Sequence, residues 1–145
     1  NDIGVEGASA LAAVLKETQI KHLGVDAELG DALQIDELTG TKPTEKIDLS
    51  GKRLGARLGV ASAIIIANCI KGNGVLKELN LGGNNLTNDG KALSGLLQLV
   101  EVLPQTKIQS LDLANTALCG INMFGKDTYT TEGITKLCEA LKGSA

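Results

Sequence analysis

The chain has 145 residues, of which 21% are charged, and its formal net charge is -3. This balance excludes a general nucleic-acid-binding protein, because no basic stripe is present to neutralise phosphates. The longest apolar run, 60–67, is far shorter than the roughly 20 residues that a membrane-spanning helix needs.

The first elements in the chain are a helix and a strand. A helix is predicted over 4–17, where apolar residues recur at helical spacing and Glu6 and Lys16 suit the helix dipole. A strand is expected over 20–25. The segment 29–44 is irregular and supports at most a short helix before a Gly- and Pro-containing break.

The next predicted helix, 56–71, is apolar on more than one face. Ala63, Ile64 and Ile70 suit a core-facing stripe, whereas Ile65 and Ile66 fall outside it. We expect these two isoleucines to be covered by another chain or by a neighbouring segment such as the loop 119–131, because paired exposed isoleucines mark contact surfaces.

The stretch 76–86 sets the spacing that other segments copy. Its apolar skeleton is Leu76, Leu79, Leu81 and Leu86, and Asn84 stands where a turn needs a side chain that hydrogen-bonds the neighbouring backbone. The pattern predicts that the skeleton leucines are buried, with truncation of Leu79 to Ala strongly destabilising.

The same template recurs on both sides of this stretch. Copies lie 32 residues later, at 108–118, and 32 residues earlier, at 45–54, and a weaker copy lies at 20–29. Leu111 takes the position of Leu79 in the later copy and is predicted to be buried as well. Helices are expected over 88–104, where Pro104 ends the pattern, and over 132–141.

The repeats resemble a known family. The segment 1–15, Asn-Asp-Ile-Gly-x-x-Gly-Ala-x-Ala-Leu-Ala-x-x-Leu, and the stretch 76–86 are similar to leucine-rich repeats of the ribonuclease-inhibitor type. Such repeats also occur in NOD-like receptors, in Ran GTPase-activating proteins and in repeat proteins of unicellular eukaryotes. The resemblance covers nearly the whole chain and is weakest over 28–44.

The resemblance implies an α/β right-handed solenoid, with parallel strands on the concave face and helices on the convex face. Residues 1–145 would form a single array of about four to five repeats, an internal part of a longer solenoid because no capping repeat is visible. It also implies a cytoplasmic protein with a protein-binding surface.

Parallel stacking of the strands would place polar side chains in two columns on the concave face. The first column holds an acidic ladder that could receive the Arg or Lys of a protein partner. The alternative is a solvated sheet face, since every such repeat exposes something polar there. The columns contain Gly24, Asp48, Asn80 and Asp112, and His22, Lys46, Glu78 and Ser110.

The loop 119–131 holds the only Met, Phe and Tyr of the chain, Met123, Phe124 and Tyr129. Large aromatic side chains concentrate binding energy, and loops on a scaffold often carry specificity, so these three are candidate partner-binding residues. The competing explanation is structural: Phe124 folds back over the neighbouring helix to keep the loop ordered.

Catalytic and cofactor motifs are weak. The segment 120–126 approaches a phosphate-binding loop, but Asp127 stands where a Ser or Thr must hold magnesium. His22 is the only histidine, so a metal site with several histidines is excluded within this chain, and His22 is expected to be a surface residue. No cofactor is expected.

These patterns predict a non-catalytic protein-interaction scaffold. The alternative is a regulator of a small GTPase, similar to the Ran GTPase-activating proteins, for which Arg53 and Arg57 would be the residues to test. The three cysteines have no metal-ligand spacing and are expected to be free thiols in a reducing compartment.

Overall fold

The computed structural model describes residues 3–24, 33–51, 58–87, 92–114, 116 and 131–142. The α-helices defined within these ranges are α1 (Gly4–Leu15), α2 (Ile35–Thr39), α3 (Val60–Ile70), α4 (Ser94–Val102) and α5 (Glu132–Lys142). The strands are β1 (His22–Leu23), β2 (Leu33–Gln34), β3 (Lys46–Asp48), β4 (Glu78–Asn80) and β5 (Ser110–Asp112). A 3-10 turn, Leu103–Gln105, follows α4.

Strands β3, β4 and β5 form a parallel sheet with β4 in the middle. The register pairs Ile47 with Leu79 and Leu79 with Leu111. Each pairing therefore joins residues at the 32-residue spacing of the sequence template. The alignment of these three copies is confirmed, and the polar residues that flank each central aliphatic residue lie on the opposite face of the sheet.

The predicted leucine-rich-repeat solenoid is wrong, because the described strands form two small sheets. Strand β1 does not extend the parallel sheet; it pairs with β2 in an antiparallel sheet, with His22 opposite Gln34. The backbone N–H of Ile35 donates to the Lys21 carbonyl at 2.7 Å, which continues this antiparallel contact. In the described part of the weak copy, 20–24, the backbone therefore pairs with β2 and the start of α2.

The core lies between the parallel sheet and the helices. Leu76, Leu79 and Leu81 are buried, as predicted. Leu111 was expected to be buried too, but it is only half-buried and packs against the edge of the core. Leu111 lies on the edge strand β5, but an edge position alone does not expose a side chain, since Ile47 on the opposite edge strand β3 is 5% exposed. The difference lies in the side chains that pack over each strand.

Helix α3 is buried on all sides. Nine of its 11 residues are buried, which is the pattern of a helix that is apolar all round. Ile65 and Ile66 are fully buried, and α3 packs against α1, α2 and α4. Of the two covers expected for Ile65 and Ile66, another chain or a neighbouring segment, the structure shows the second: helices of the same chain bury both side chains.

Two buried asparagines link segments that are far apart in the sequence, through hydrogen bonds of their side-chain amides. Asn84 Nδ2 donates to the carbonyls of Leu49 at 2.8 Å and Leu81 at 2.9 Å, and its Oδ1 accepts from the Leu58 N–H at 2.7 Å. This confirms the turn role predicted for Asn84. Sequence reasoning missed Asn73, the second of the pair.

Asn73 holds the entrance to β4. Its Nδ2 donates to the Leu38 carbonyl at 3.0 Å, at the end of α2, and its Oδ1 accepts from the N–H groups of Val75 and Leu76.

The described helices include none with both the length and the hydrophobicity needed to cross a lipid bilayer.

Truncation of Leu79 to Ala should lower the free energy of unfolding by about 2–5 kcal/mol, because the side chain is 1% exposed and its removal leaves a cavity. Leu111→Ala is the matched control on the next strand, and it should cost less because Leu111 is half-buried. Chemical denaturation of both variants measures the two costs. Equal losses would contradict the packing described for β5.

Replacement of Gly95 by Ala should destabilise the chain by about 1–3 kcal/mol through overpacking. An added Cβ would lie 2.8 Å from the Ala63 Cβ and 2.9 Å from the Val60 carbonyl oxygen, where α4 crosses α3. Gly74→Ala is the control, because a Cβ there has no heavy atom within 4 Å. Thermal unfolding should show a lowered midpoint for the first variant only.

Candidate functional site

The candidate site is the exposed face of the parallel sheet, which we call the sheet face. Two side chains from each strand build it, and the strand register brings all six together. Together they line an open depression of about 340 Å³. The residues of the sheet face are Lys46, Asp48, Glu78, Asn80, Ser110 and Asp112.

Both predicted columns are present across β3–β5. Asp48, Asn80 and Asp112 align across the three strands, as do Lys46, Glu78 and Ser110. All are exposed except Asn80, which is half-buried in the centre. The columns end at β3, so the expected contributions of His22 and Gly24 are wrong.

The acidic column makes the same hydrogen bond three times. Asp48 Oδ1 accepts from the Ser50 N–H at 2.9 Å, Asn80 Oδ1 from the Gly82 N–H at 2.9 Å, and Asp112 Oδ1 from the Ala114 N–H at 2.8 Å. Each bond closes an Asx turn that ends the strand. The side chains are therefore held in a fixed orientation, and an amide serves the turn as well as a carboxylate does.

The other column contains an exposed ion pair. Lys46 Nζ lies 3.4 Å from Glu78 Oε2, and the two side chains are 74% and 49% exposed. Such a pair contributes at most about 1 kcal/mol to stability, because water screens it. The formal charge of the sheet face is -2, because it contains three carboxylates, Asp48, Glu78 and Asp112, and one ammonium group, Lys46.

This arrangement can accept hydrogen bonds from a cation but offers little for catalysis. Carboxylates in an exposed row can pair with the guanidinium or ammonium group of a partner. Within the described ranges, no group of three or more His, Cys, Asp or Glu side chains is placed to hold a metal ion. The Asx turns could have been predicted from the sequence, because an Asp or Asn stands at the end of each predicted strand, where its side chain can accept from the N–H two residues later.

Several other predicted residues lie outside the described residues. These are the loop candidates Met123, Phe124 and Tyr129, the phosphate-loop-like segment 120–127, and the two arginines proposed for GTPase regulation, Arg53 and Arg57. Their roles stay predictions.

The two described cysteines are free thiols in opposite environments. Cys69 is buried in α3, and Cys138 is exposed on α5. Burial raises the pKa of the Cys69 thiol to about 11, against which the charge of Lys16 acts weakly. At neutral pH the Cys69 thiol is therefore protonated and unreactive.

Comparison of the chain with protein-family models, with curated proteins and with solved structures finds no significant match.

Alkylation with iodoacetamide at pH 8 should modify Cys138 and spare Cys69 while the protein is folded. The thiolate is the reacting species, and the raised pKa of Cys69 leaves almost none of it at that pH. Peptide mapping by mass spectrometry separates the two sites, and alkylation in denaturant should modify both. Rapid labelling of Cys69 in the native protein would contradict the burial of α3.

Proposed function

We propose that this protein is a non-catalytic protein-binding module that contacts its partner through the sheet face. The observation that carries the proposal is the alignment of Asp48, Asn80 and Asp112, each oriented by its own Asx turn. Side chains that are already ordered lose less conformational entropy on binding than free ones, so the face is prepared for contact.

The charge of the sheet face supports a cationic partner segment. Adjacent strands are roughly 4.8 Å apart, so Asp48 and Asp112 project about 10 Å from each other across Asn80. Two Arg or Lys side chains of one partner, separated by about three residues of extended chain, would span this distance. Asn80 would meet the polar backbone between them.

The remaining polar residues limit which partners fit. Lys46 pairs with Glu78 at 3.4 Å, so a cation that approaches this column competes with Lys46 for the carboxylate. An acidic partner would meet the net negative charge of the face and be repelled. The free thiols of Cys69 and Cys138 are in keeping with action in a reducing compartment such as the cytoplasm.

The double variant Asp48→Asn/Asp112→Asn isolates the charge of the sheet face. Asn80 already makes the same Asx bond with an amide, so this substitution should keep the turns and the stability while it removes two charges. A display library of random peptides selected on the wild type should enrich Arg- and Lys-containing peptides. Their affinity for the double variant should fall by about tenfold, since each exposed charge pair contributes up to about 1 kcal/mol.

Two controls sharpen this experiment. Asn80→Asp adds a carboxylate in the same geometry and should tighten binding of the selected peptides. Glu139→Gln removes a charge from helix α5, which does not line the sheet face, and should leave peptide affinity unchanged. Enrichment of the same peptides on the wild type and the double variant, at equal affinity, would contradict the proposal.

A further inference from the structure

A second concave feature lies away from the sheet face, where the end of α1, the strand β1 and the helix α2 meet. This cleft has a volume of about 400 Å³, within the roughly 300–1,000 Å³ of small-molecule sites. We call it the α1–α2 cleft. Its lining residues include Leu15, Lys16, Ile20, Lys21, Ile35 and Asp36.

The cleft exists because the repeat pattern breaks here. Strand β1 pairs antiparallel with β2 and does not join the parallel sheet. The hydrogen bond from the Ile35 N–H to the Lys21 carbonyl closes one side of the cleft. Departures from a regular local pattern concentrate at sites with a function of their own. This break in the pattern therefore makes the cleft a candidate binding site.

Three apolar residues line the cleft, beside the uncharged polar residues Thr18, Gln19, Thr39 and Thr41. Leu15 and Ile35 are 2% and 3% exposed and belong to the hydrophobic core, so they form a firm base. Ile20 stands on the wall with 42% of its surface exposed. An aliphatic group placed between these three side chains would remove the exposed part of Ile20 from water, which favours binding.

The rim of the cleft is cationic. Lys16 and Lys21 both line it, and the ion pairs found among the described residues use other lysines. Asp36 also lines the cleft, and its Oδ1 accepts a hydrogen bond from the Glu37 N–H at 2.9 Å. The three charged groups leave one net positive charge beside the apolar base. Lys16 Nζ lies close to Gly72, which also lines the cleft.

From this combination we propose that the α1–α2 cleft binds a small aliphatic carboxylate, with the aliphatic part on Leu15, Ile20 and Ile35 and the carboxylate between Lys16 and Lys21. The apolar base selects for the hydrocarbon part, and the two ammonium groups select for the anion over a neutral molecule of the same size. This site is independent of the sheet face.

The proposal is tested by titrating the full chain with hexanoate and following amide signals by two-dimensional ¹H–¹⁵N NMR. Saturable shifts are expected for residues 18–21 and 35–39. Hexanol has the same chain without the charge, and acetate has the charge without the chain. Both should bind about five- to tenfold more weakly than hexanoate, which corresponds to the loss of exposed charge pairs or of apolar contact.

Two variants separate the contributions. Lys16→Gln/Lys21→Gln should reduce hexanoate affinity to that of hexanol, and Ile20→Ser should weaken hexanoate and hexanol alike. Lys107→Gln, an exposed lysine far from the cleft, is the control and should bind as the wild type does. Unchanged signals of α3 residues verify that each variant is folded. Absence of saturable shifts with hexanoate, or equal affinity for hexanoate and hexanol in the wild type, would overturn the proposal.

Discussion

The parallel sheet depends above all on the buried side chain of Asn84. Its amide reaches the carbonyl of Leu49 after β3 and the carbonyl of Leu81 after β4, and it receives the N–H of Leu58 on the way into α3. A fully buried amide without hydrogen-bond partners would cost several kcal/mol. These three hydrogen bonds therefore fix the positions of β3, β4 and the segment before α3 relative to one another. Thr116 takes the equivalent place 32 residues later, where its hydroxyl donates to the Leu113 carbonyl at 2.6 Å.

The sequence pattern correctly predicted the register of the three parallel strands. The 32-residue spacing aligned Leu79 with Leu111 correctly, because a period-two pattern flips every side chain if the register slips by one residue. The same pattern says nothing about which strand lies alongside. The copy at 20–29 has the same alternation as the other copies, yet β1, in its described part, pairs antiparallel with β2.

The burial of α3 is explained by tertiary packing and not by a single apolar stripe. A helical pattern with one apolar stripe left Ile65 and Ile66 unexplained, and only tertiary packing shows that α1, α2 and α4 surround α3. The apolar content of the helix was itself the signal, since a helix without a polar face is typical of a buried one. The α1–α2 cleft could not be anticipated either, because Lys16 and Ile35 are brought together by the antiparallel pairing and not by their spacing.

The structural and the binding interpretations of the sheet face do not exclude each other. Each Asx turn of Asp48, Asn80 and Asp112 uses one side-chain oxygen on the backbone, and an amide does this as well as a carboxylate. Turn formation therefore explains why Asp or Asn stands at these positions, but it does not explain the charge of the two outer ones. Because the neutral Asn80 lies between Asp48 and Asp112 and reduces the repulsion between them, the sheet tolerates both charges on one face.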